Sequence, residues 1–412
     1  MPKVSDPGPL DPDDAGNPFF GTPFLGDLAR LLQQQGGMGS QAARQLALSV
    51  ATGGIPEPNV DPMIRMNLEQ LARVAELRVA DATGLRTSTT GRGITVLPVN
   101  RGTWAQRTVD AYQPLFERLA NALGRPTTEP GSPASPADDD ADAMDGAMES
   151  WLRGMMQVVG PMMLGMTAGA MVGHLARRSL GQYDLPIPRP AGDEILLCEP
   201  NLREFATEWS LPEDELRLWV CLSEVTHHAV LGVPHVRARL ESLLFEYASG
   251  FSPSPDALDE RLSHLDFTDA QSMQGMQQLM GDPEVLLGAI QSAEQRHILP
   301  QLAALDAVIV GYVDHVMDVT GAALISSYPM LSEALRRRRV EADASDKFVE
   351  KLLGLELGQD QYDRGSAFVS GIIERAGPDA LERLWRTERE LPTPNEVDAP
   401  GLWLARIDLP DD

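Results

Sequence analysis

The residues best suited to chemistry lie in one segment, 216–231 (LRLWVCLSEVTHHAVL). On a helix, Ser223 and His227 lie one turn apart on the same face, and Glu224 lies one step around the helix. This is the spacing of the zinc motif His-Glu-x-x-His, in which two histidines bind the metal and the glutamate acts on the metal-bound water. Ser223 stands where the motif has its first histidine. The pattern alone indicates either an altered metal site or an ordinary hydrogen-bonded pair.

A helix over residues 213–231 must position these side chains. Pro212 suits a helix start, and Ser210 is the predicted N-cap. The apolar spacing predicts further helices along the chain, with breaks at 281–283 and at Pro300. These helices are expected at residues 27–35, 40–52, 62–84, 102–124, 147–180, 201–208, 234–249, 254–320, 343–353, 360–377 and 378–385. Only short runs, 93–99 and 195–198, resemble strands, so the predicted fold is mainly α with few short strands.

Composition excludes several classes of function. The chain has 60 acidic and 34 Lys and Arg residues and a formal net charge of −26. Neither nucleic acid nor an anionic membrane is an expected partner, because both need a positive surface. Two cysteines cannot build a disulfide framework or a thiolate metal cluster, which fits a reducing compartment. With no signal-peptide pattern at the start, we expect a cytoplasmic protein.

Residues 1–18 and 125–146 are predicted to be disordered. The second segment has four prolines and an acidic run at 138–142, and it lacks the apolar residues that would offset its ordering entropy. We therefore expect an N-terminal helical part, 19–124, that forms one composite domain with residues 147–412 across this linker. A basic cluster at 336–339 is interpreted as a solvated helix end rather than a docking site.

Residues 155–173 contain no formal charge over 19 positions, a length that could span a bilayer. Four glycines, a proline, Gln157 and Thr167 make that span unfavourable. Gly165, Gly169 and Gly173 would share one helix face and form a smooth groove for another backbone. We therefore expect a buried helix in close contact with a neighbour.

Several stretches beyond the central segment carry a family resemblance. They are residues 72–85 (ARVAELRVADATGL), 179–188 (SLGQYDLPIP), 199–205 (EPNLREF), 216–240, 311–318 (GYVDHVMD), 353–369 (LGLELGQDQYDRGSAFV) and 391–394 (LPTP). Together they resemble a family of actinobacterial and related bacterial zinc-dependent metalloproteases or hydrolases, named for genes neighbouring deazaflavin coenzyme biosynthesis. The resemblance implies a zincin-like, mostly helical scaffold, with a zinc-binding helix and a third ligand from a later helix.

The resemblance assigns roles to four positions. His227 matches the second histidine ligand and Glu224 the general base, whereas Ser223 replaces the first histidine. The family has a glutamate before the glycine of GYVDHVMD, and here Val310 precedes Gly311. Two of the three expected ligands are therefore absent, and His227 and Glu224 are interpreted as vestigial.

This loss matters because a catalytic zinc needs about three protein ligands and one open position. A serine hydroxyl is a poor ligand at neutral pH, and valine cannot bind a metal. Without the metal, water keeps a pKa near ~15.7 instead of ~7. His228, Asp314 and His315 are possible substitute ligands, although His228 points about 100° away from His227 on a helix.

Three hypotheses remain open. The first is a degenerate zincin-like protein, without a cofactor, that acts as an inactive binding or scaffold protein with a peptide or protein partner. The second is an active zinc-dependent peptidase or hydrolase that uses Asp314 or His315. In the third, the cleft binds a peptide or small molecule, and Glu224 and His227 are only polar contacts. A peptide would pair with a strand edge, for which residues 195–198 are the candidate.

Overall fold

The computed structural model describes residues 36–123, 165–251, 292–341, 349–355 and 357–409. Its fold is mainly α, as predicted. The helices are α1 (Gly36–Thr52), α2 (Pro62–Thr83), α3 (Arg101–Leu123), α4 (165–176), α5 (Glu199–Glu208), α6 (Glu213–Leu231), α7 (Pro234–Ser249), α8 (Ala293–Leu324), α9 (Tyr328–Val340), α10 (Gln359–Ala376), α11 (Pro394–Asp398) and α12 (Pro400–Ile407). Two 3₁₀ helices, Pro378–Trp385 and Glu388–Glu390, precede α11. The segments predicted to be disordered, 1–18 and 125–146, lie outside the described residues, as do the helices predicted at 27–35 and 254–291.

The two strands, β1 (Thr95–Val99) and β2 (Glu194–Cys198), pair in parallel, with Thr95 opposite Glu194. On the other side of β2, the Cys198 N–H donates to the Leu180 carbonyl at 2.8 Å, and the Leu196 N–H donates to Gln182 Oε1 at 3.1 Å. These outward N–H groups are therefore already bonded within the chain. The prediction that this strand offers a free edge for a peptide is wrong, because residues 180–182 cover it.

Helix boundaries follow local chemistry in some places and depart from it in others. Gly84 ends α2 in the left-handed conformation, at φ 66°, as its position predicts. The prediction of Ser210 as the N-cap of α6 is wrong, because Pro212 takes that position without a side-chain cap. Ser210 instead adopts φ 53° in the turn after α5, where the Leu211 N–H donates to the Ala206 carbonyl at 2.8 Å.

The predicted break at Pro300 is also wrong. Helix α8 runs through Pro300 for 32 residues, from a capping box formed by Ser292 and Gln295. Ile298 and Leu302 on either side are buried in the core, and their packing outweighs the local cost of an internal proline. The helix predicted at 147–180 ends at residue 176, and its part before 165 lies outside the described residues.

Helix α4 packs against α1 through its glycine face, as predicted. A Cβ on Gly169 would stand 2.3 Å from the Ala43 carbonyl oxygen, and one on Gly173 would stand 2.7 Å from that of Ala47. These distances are too short for any side chain, so the glycines permit the backbone contact. Among the described residues, no helix is both long and apolar enough to cross a membrane.

Helix α6 holds the chemistry-bearing segment at the centre of the packing. It contacts α2 on one side and α8 on another, and α8 in turn lies against α10. The α8–α10 contact is close, because a Cβ on Gly311 would stand 2.2 Å from the Gly365 carbonyl carbon. This packing fixes the face of α8 that carries Val310 and Asp314 opposite the site face of α6. The composite-domain boundary stays a prediction.

Candidate functional site

A cavity of about 110 Å³ lies between α6, α8, the end of α9 and the turn at residues 179–185. Its wall includes the predicted site residues Ser223, Glu224, His227, Val310 and Asp314. Helix geometry explains the convergence, because residues three and four apart share a face on both α6 and α8. The structure thus brings together the positions that the resemblance assigns. The roles assigned to them stay a prediction.

Glu224 is almost fully buried, with 3% of its surface exposed. Its carboxylate accepts hydrogen bonds from the backbone N–H groups of Gln182 at 2.9 Å and Tyr183 at 3.0 Å. Burial and the negative charge of Asp184 raise the pKa of Glu224 to about 8, against the opposing effect of the two N–H groups. The side chain is therefore mostly protonated at neutral pH. Gly181 is required beside it, since a Cβ there would stand 2.2 Å from the Glu224 carboxyl carbon.

His227 is held as a neutral imidazole. Its Nδ1–H donates to the Ser223 carbonyl at 2.9 Å, which assigns the proton to that nitrogen. Burial lowers the pKa of His227 to about 4, although the Ser223 carbonyl acts in the opposite direction. The ring stacks on Tyr183 with centroids 6.0 Å apart. Nε2 is therefore the lone-pair nitrogen that His227 offers to a ligand.

The three possible substitute ligands have different surroundings. Asp314 lines the cavity, where the Arg339 guanidinium binds both of its oxygens at 3.1 Å. His228 lies outside the lining of the cavity, and its Nδ1 is 2.9 Å from the hydroxyl of Tyr183, which also stacks on His227. His315 is half-buried, and like His228 it lies outside the lining of the cavity.

The basic cluster at 336–339 divides into two halves, so its interpretation as a solvated helix end is wrong for one half. Arg336 and Arg337 are exposed and pair with Glu333. Arg338 and Arg339 instead line the cavity. The sequence contained a signal for this, because Arg338 follows the buried Leu331 and Leu335 at helical spacing.

Each of the inward arginines has an acidic partner. Arg338 Nη2 donates to Asp184 Oδ2 at 2.8 Å and to the Arg178 carbonyl at 2.6 Å. The Arg339 guanidinium carbon lies 3.7 Å from the centroid of the Tyr362 ring, in a cation–π contact. Asp184 and Tyr362 both lie in segments of the family resemblance.

Metal-binding capacity can be judged from the donor set. Among the described residues, no group of three His, Cys, Asp or Glu side chains is arranged to hold a metal ion. At the expected ligand positions, only His227 offers a donor suited to zinc, because Ser223 has a hydroxyl and Val310 an isopropyl group. Cys221 is fully buried on α6, and burial raises the pKa of its thiol, which fits a small apolar residue.

Comparisons with known proteins identify the family and the fold of the chain. A model of the zincin-like metallopeptidase family matches residues 39–404. A crystal structure described as "a putative hydrolase with a novel fold" from Chloroflexus aurantiacus superimposes with a TM-score of 0.60 at 23% identity. The match covers 90% of this chain and 99% of that one, and at this identity it shows a shared fold. No curated protein matches the chain.

Proposed function

Because the chain belongs to the zincin-like metallopeptidase family, we propose that it uses the cavity beside α6 to bind a ligand and does not hydrolyse one with zinc. The family implies a zinc ion, and the residues present do not fit one. Ser223, His227 and Val310 line the same cavity, so the three expected ligand positions converge with one imidazole between them. This observation carries the proposal, since a catalytic zinc needs about three protein ligands.

The state of Glu224 supports the same conclusion. Without a metal ion, burial raises the pKa of the Glu224 carboxyl to about 8, which disfavours the ionised form that a general base needs. Its oxygens also accept two backbone N–H groups from the turn at residues 182–183. Glu224 therefore has a structural role, because its hydrogen bonds connect α6 to this turn.

Charge in the cavity wall is balanced by protein groups. Asp184 pairs with Arg338 and Asp314 pairs with Arg339. A divalent cation bound to either carboxylate would displace an arginine and approach the second guanidinium, an unfavourable contact of like charges. The alternative, an active zinc-dependent hydrolase with Asp314 as a substitute ligand, requires that ion pair to break.

Metal analysis by mass spectrometry tests the proposal on the untagged protein. We expect negligible zinc in the natural protein and about one equivalent in the variant Ser223→His/Val310→Glu, which restores the ligand set. The matched control adds His227→Ala to that variant and should lose the zinc. Peptide hydrolysis is expected only from a zinc-loaded variant.

Near-stoichiometric zinc in the natural protein, lost on His227→Ala, would overturn the proposal and favour the active enzyme. Adding Asp314→Asn or His315→Ala to the natural protein would then identify the substitute ligand. Zinc that survives every one of these changes would place the metal elsewhere in the chain.

A further inference from the structure

We infer that the cavity binds a carboxylate group, held by Arg338 and Arg339, at the end of a short aliphatic ligand such as an N-acylated amino acid or the C-terminal residue of a peptide. This inference rests on the proposed function and identifies the class of ligand. It follows from the balance of donors and acceptors in the cavity wall, the size of the cavity and its apolar surface.

The wall has an excess of hydrogen-bond donors. A guanidinium carries five N–H groups. Arg338 uses Nη2 for the Asp184 carboxylate and the Arg178 carbonyl, and Arg339 uses one N–H on each Nη for Asp314. Three N–H groups of each arginine thus have no partner among the described residues. Both residues line the cavity, and their side chains are largely buried, with 19% and 20% exposed.

The two carboxylates that pair with these arginines are already engaged. Asp184 accepts from the Leu180 and Gly181 N–H groups as well as from Arg338. Both oxygens of Asp314 accept from Arg339. A ligand must therefore supply acceptors, and paired oxygens in one plane match the fork of an arginine. A carboxylate has this geometry.

Size and charge favour a carboxylate over a phosphate. The cavity of about 110 Å³ is below the ~300–1,000 Å³ of sites for whole drug-sized ligands, so it admits only the end of a ligand. Asp184, Asp314 and Glu350 in the wall repel a dianion more strongly than a monoanion.

Two further features define what adjoins the carboxylate. Aliphatic side chains form part of the wall, which suits a short apolar substituent; they are Leu175, Leu180, Val220, Val310, Val313, Leu335 and Leu357. His227 Nε2 is an acceptor in the same cavity, since Nδ1 carries the proton. An amide N–H next to the carboxylate can donate to it. This combination occurs in an N-acyl amino acid and at a peptide C-terminus.

Isothermal titration calorimetry with N-acetyl-leucine tests the inference, in buffer with a chelator so that no metal contributes. We expect binding with a Kd in the millimolar range or below, and at least ~10-fold weaker binding of N-acetyl-leucinamide and of inorganic phosphate. A tripeptide ending in leucine and its amidated form complete the series. Tighter binding of the acid tripeptide than of N-acetyl-leucine would identify a peptide terminus, and equal binding would identify a small free acid.

Variants test the arginines while keeping the fold intact. Arg339→Gln/Asp314→Asn neutralises both members of one ion pair, so no buried charge loses its partner, and it should weaken binding of the acid at least ~10-fold. Arg337→Gln is the matched control, because Arg337 lies on the same helical turn but is exposed and pairs with Glu333. It should leave the Kd unchanged.

Equal binding of the acid and the amide would overturn the inference. The inference would also be overturned if N-acetyl-leucine did not bind at about 10 mM, or if Arg339→Gln/Asp314→Asn bound it as tightly as the natural protein does. These results are independent of the metal analysis. If the protein contains no zinc and does not bind carboxylates, only this inference is rejected. If the protein contains zinc, the proposed function is rejected.

Discussion

Two polar regions lie on neighbouring faces of α6, about 100° apart around the helix, and they differ in how their carboxyl groups are paired. His227 faces the cavity, and its neighbour His228 faces the Asp193 cluster, which we define as Asp193, Ser88, Thr89, Thr90 and His228. Asp193 accepts five hydrogen bonds from the backbone N–H groups and hydroxyls of residues 88–90. Its Oδ1 also lies 3.6 Å from His228 Nε2. In the cavity, guanidinium N–H groups of Arg338 and Arg339 and the His227 Nε2 lone pair have no partner among the described residues.

The pKa values of the carboxyl groups in the two regions shift in opposite directions. Burial raises the pKa of Asp193, but the hydrogen bonds from Thr90 and Thr89 outweigh it and hold that pKa well below its usual range. For Glu224, with two backbone donors, burial prevails and the pKa rises to about 8. Both carboxylate oxygens of Asp193 are used within the fold, whereas His228 Nε2 has no hydrogen-bond partner among the described residues. A wall with spare donors can serve a ligand. Single substitutions can disrupt each region separately.

The largest effect is expected from Asp193→Ala, which leaves the donors of residues 88–90 without their acceptor. We expect a loss of about 3–5 kcal/mol in the free energy of unfolding at pH 7, measured by urea denaturation. Because the folded-state pKa of Asp193 is depressed, its stabilisation is present above the unfolded pKa and is lost as the pH falls. The difference from the natural protein should therefore shrink below about pH 4. A constant difference from pH 3 to pH 7 would contradict this account.

In the cavity, Glu224→Gln should raise the free energy of unfolding, whereas Asp193→Ala should lower it. The folded-state pKa is raised to about 8, so the stability of the natural protein is fully present below the unfolded pKa and falls as the pH rises towards 8. Glutamine cannot ionise, so the variant should lack this slope and exceed the natural protein by about 2–4 kcal/mol at pH 8. Urea denaturation between pH 5 and pH 9 measures the slope. Parallel pH profiles for the two proteins would show that Glu224 is ionised throughout.

Asp306 on α8 is a third case, a buried carboxyl whose oxygens have no hydrogen-bond partner among the described residues. Burial raises its pKa well above the usual value. Asp306→Asn removes the ionisation at similar size and should stabilise the protein by about 1–3 kcal/mol at pH 8, with little change at pH 4. Thermal unfolding at both pH values measures this. Destabilisation at pH 8 would mean that the carboxylate has a partner outside the described residues.

The smallest effect is expected from Ser88→Ala, which removes one of the hydroxyls that donate to Asp193 at 2.9 Å. The loss should be about 1 kcal/mol, the typical net value of one hydrogen bond. Binding of N-acetyl-leucine should not change, since Ser88 lies outside the lining of the cavity. A weakened Kd would show that the two regions are coupled.

Sequence reasoning was accurate where a local rule decides the structure. The strong apolar pattern of α6 and α7 placed both helices, and the glycine spacing predicted the contact of α4 with α1. It was wrong at Ser210 and Pro300, where the turn after α5 and the packing of α8 override local capping and proline preferences. The residues of the zinc frame were found because their spacing is a helix period. Arg338 and Arg339 were missed as site residues because a run of four arginines looks uniform in the sequence.

The sequence by itself determined which donors are present. In any fold, Ser223 offers zinc only a weak hydroxyl ligand and Val310 offers none, and a net charge of −26 excludes a generally positive surface. Only the tertiary structure decided where the charges act. It places Arg338 and Arg339 in the wall of the cavity. It also gives Glu224 two backbone N–H donors, whereas Asp193 accepts five hydrogen bonds. The reason is physical: side-chain type is local information, whereas burial and pairing depend on segments far apart in the chain.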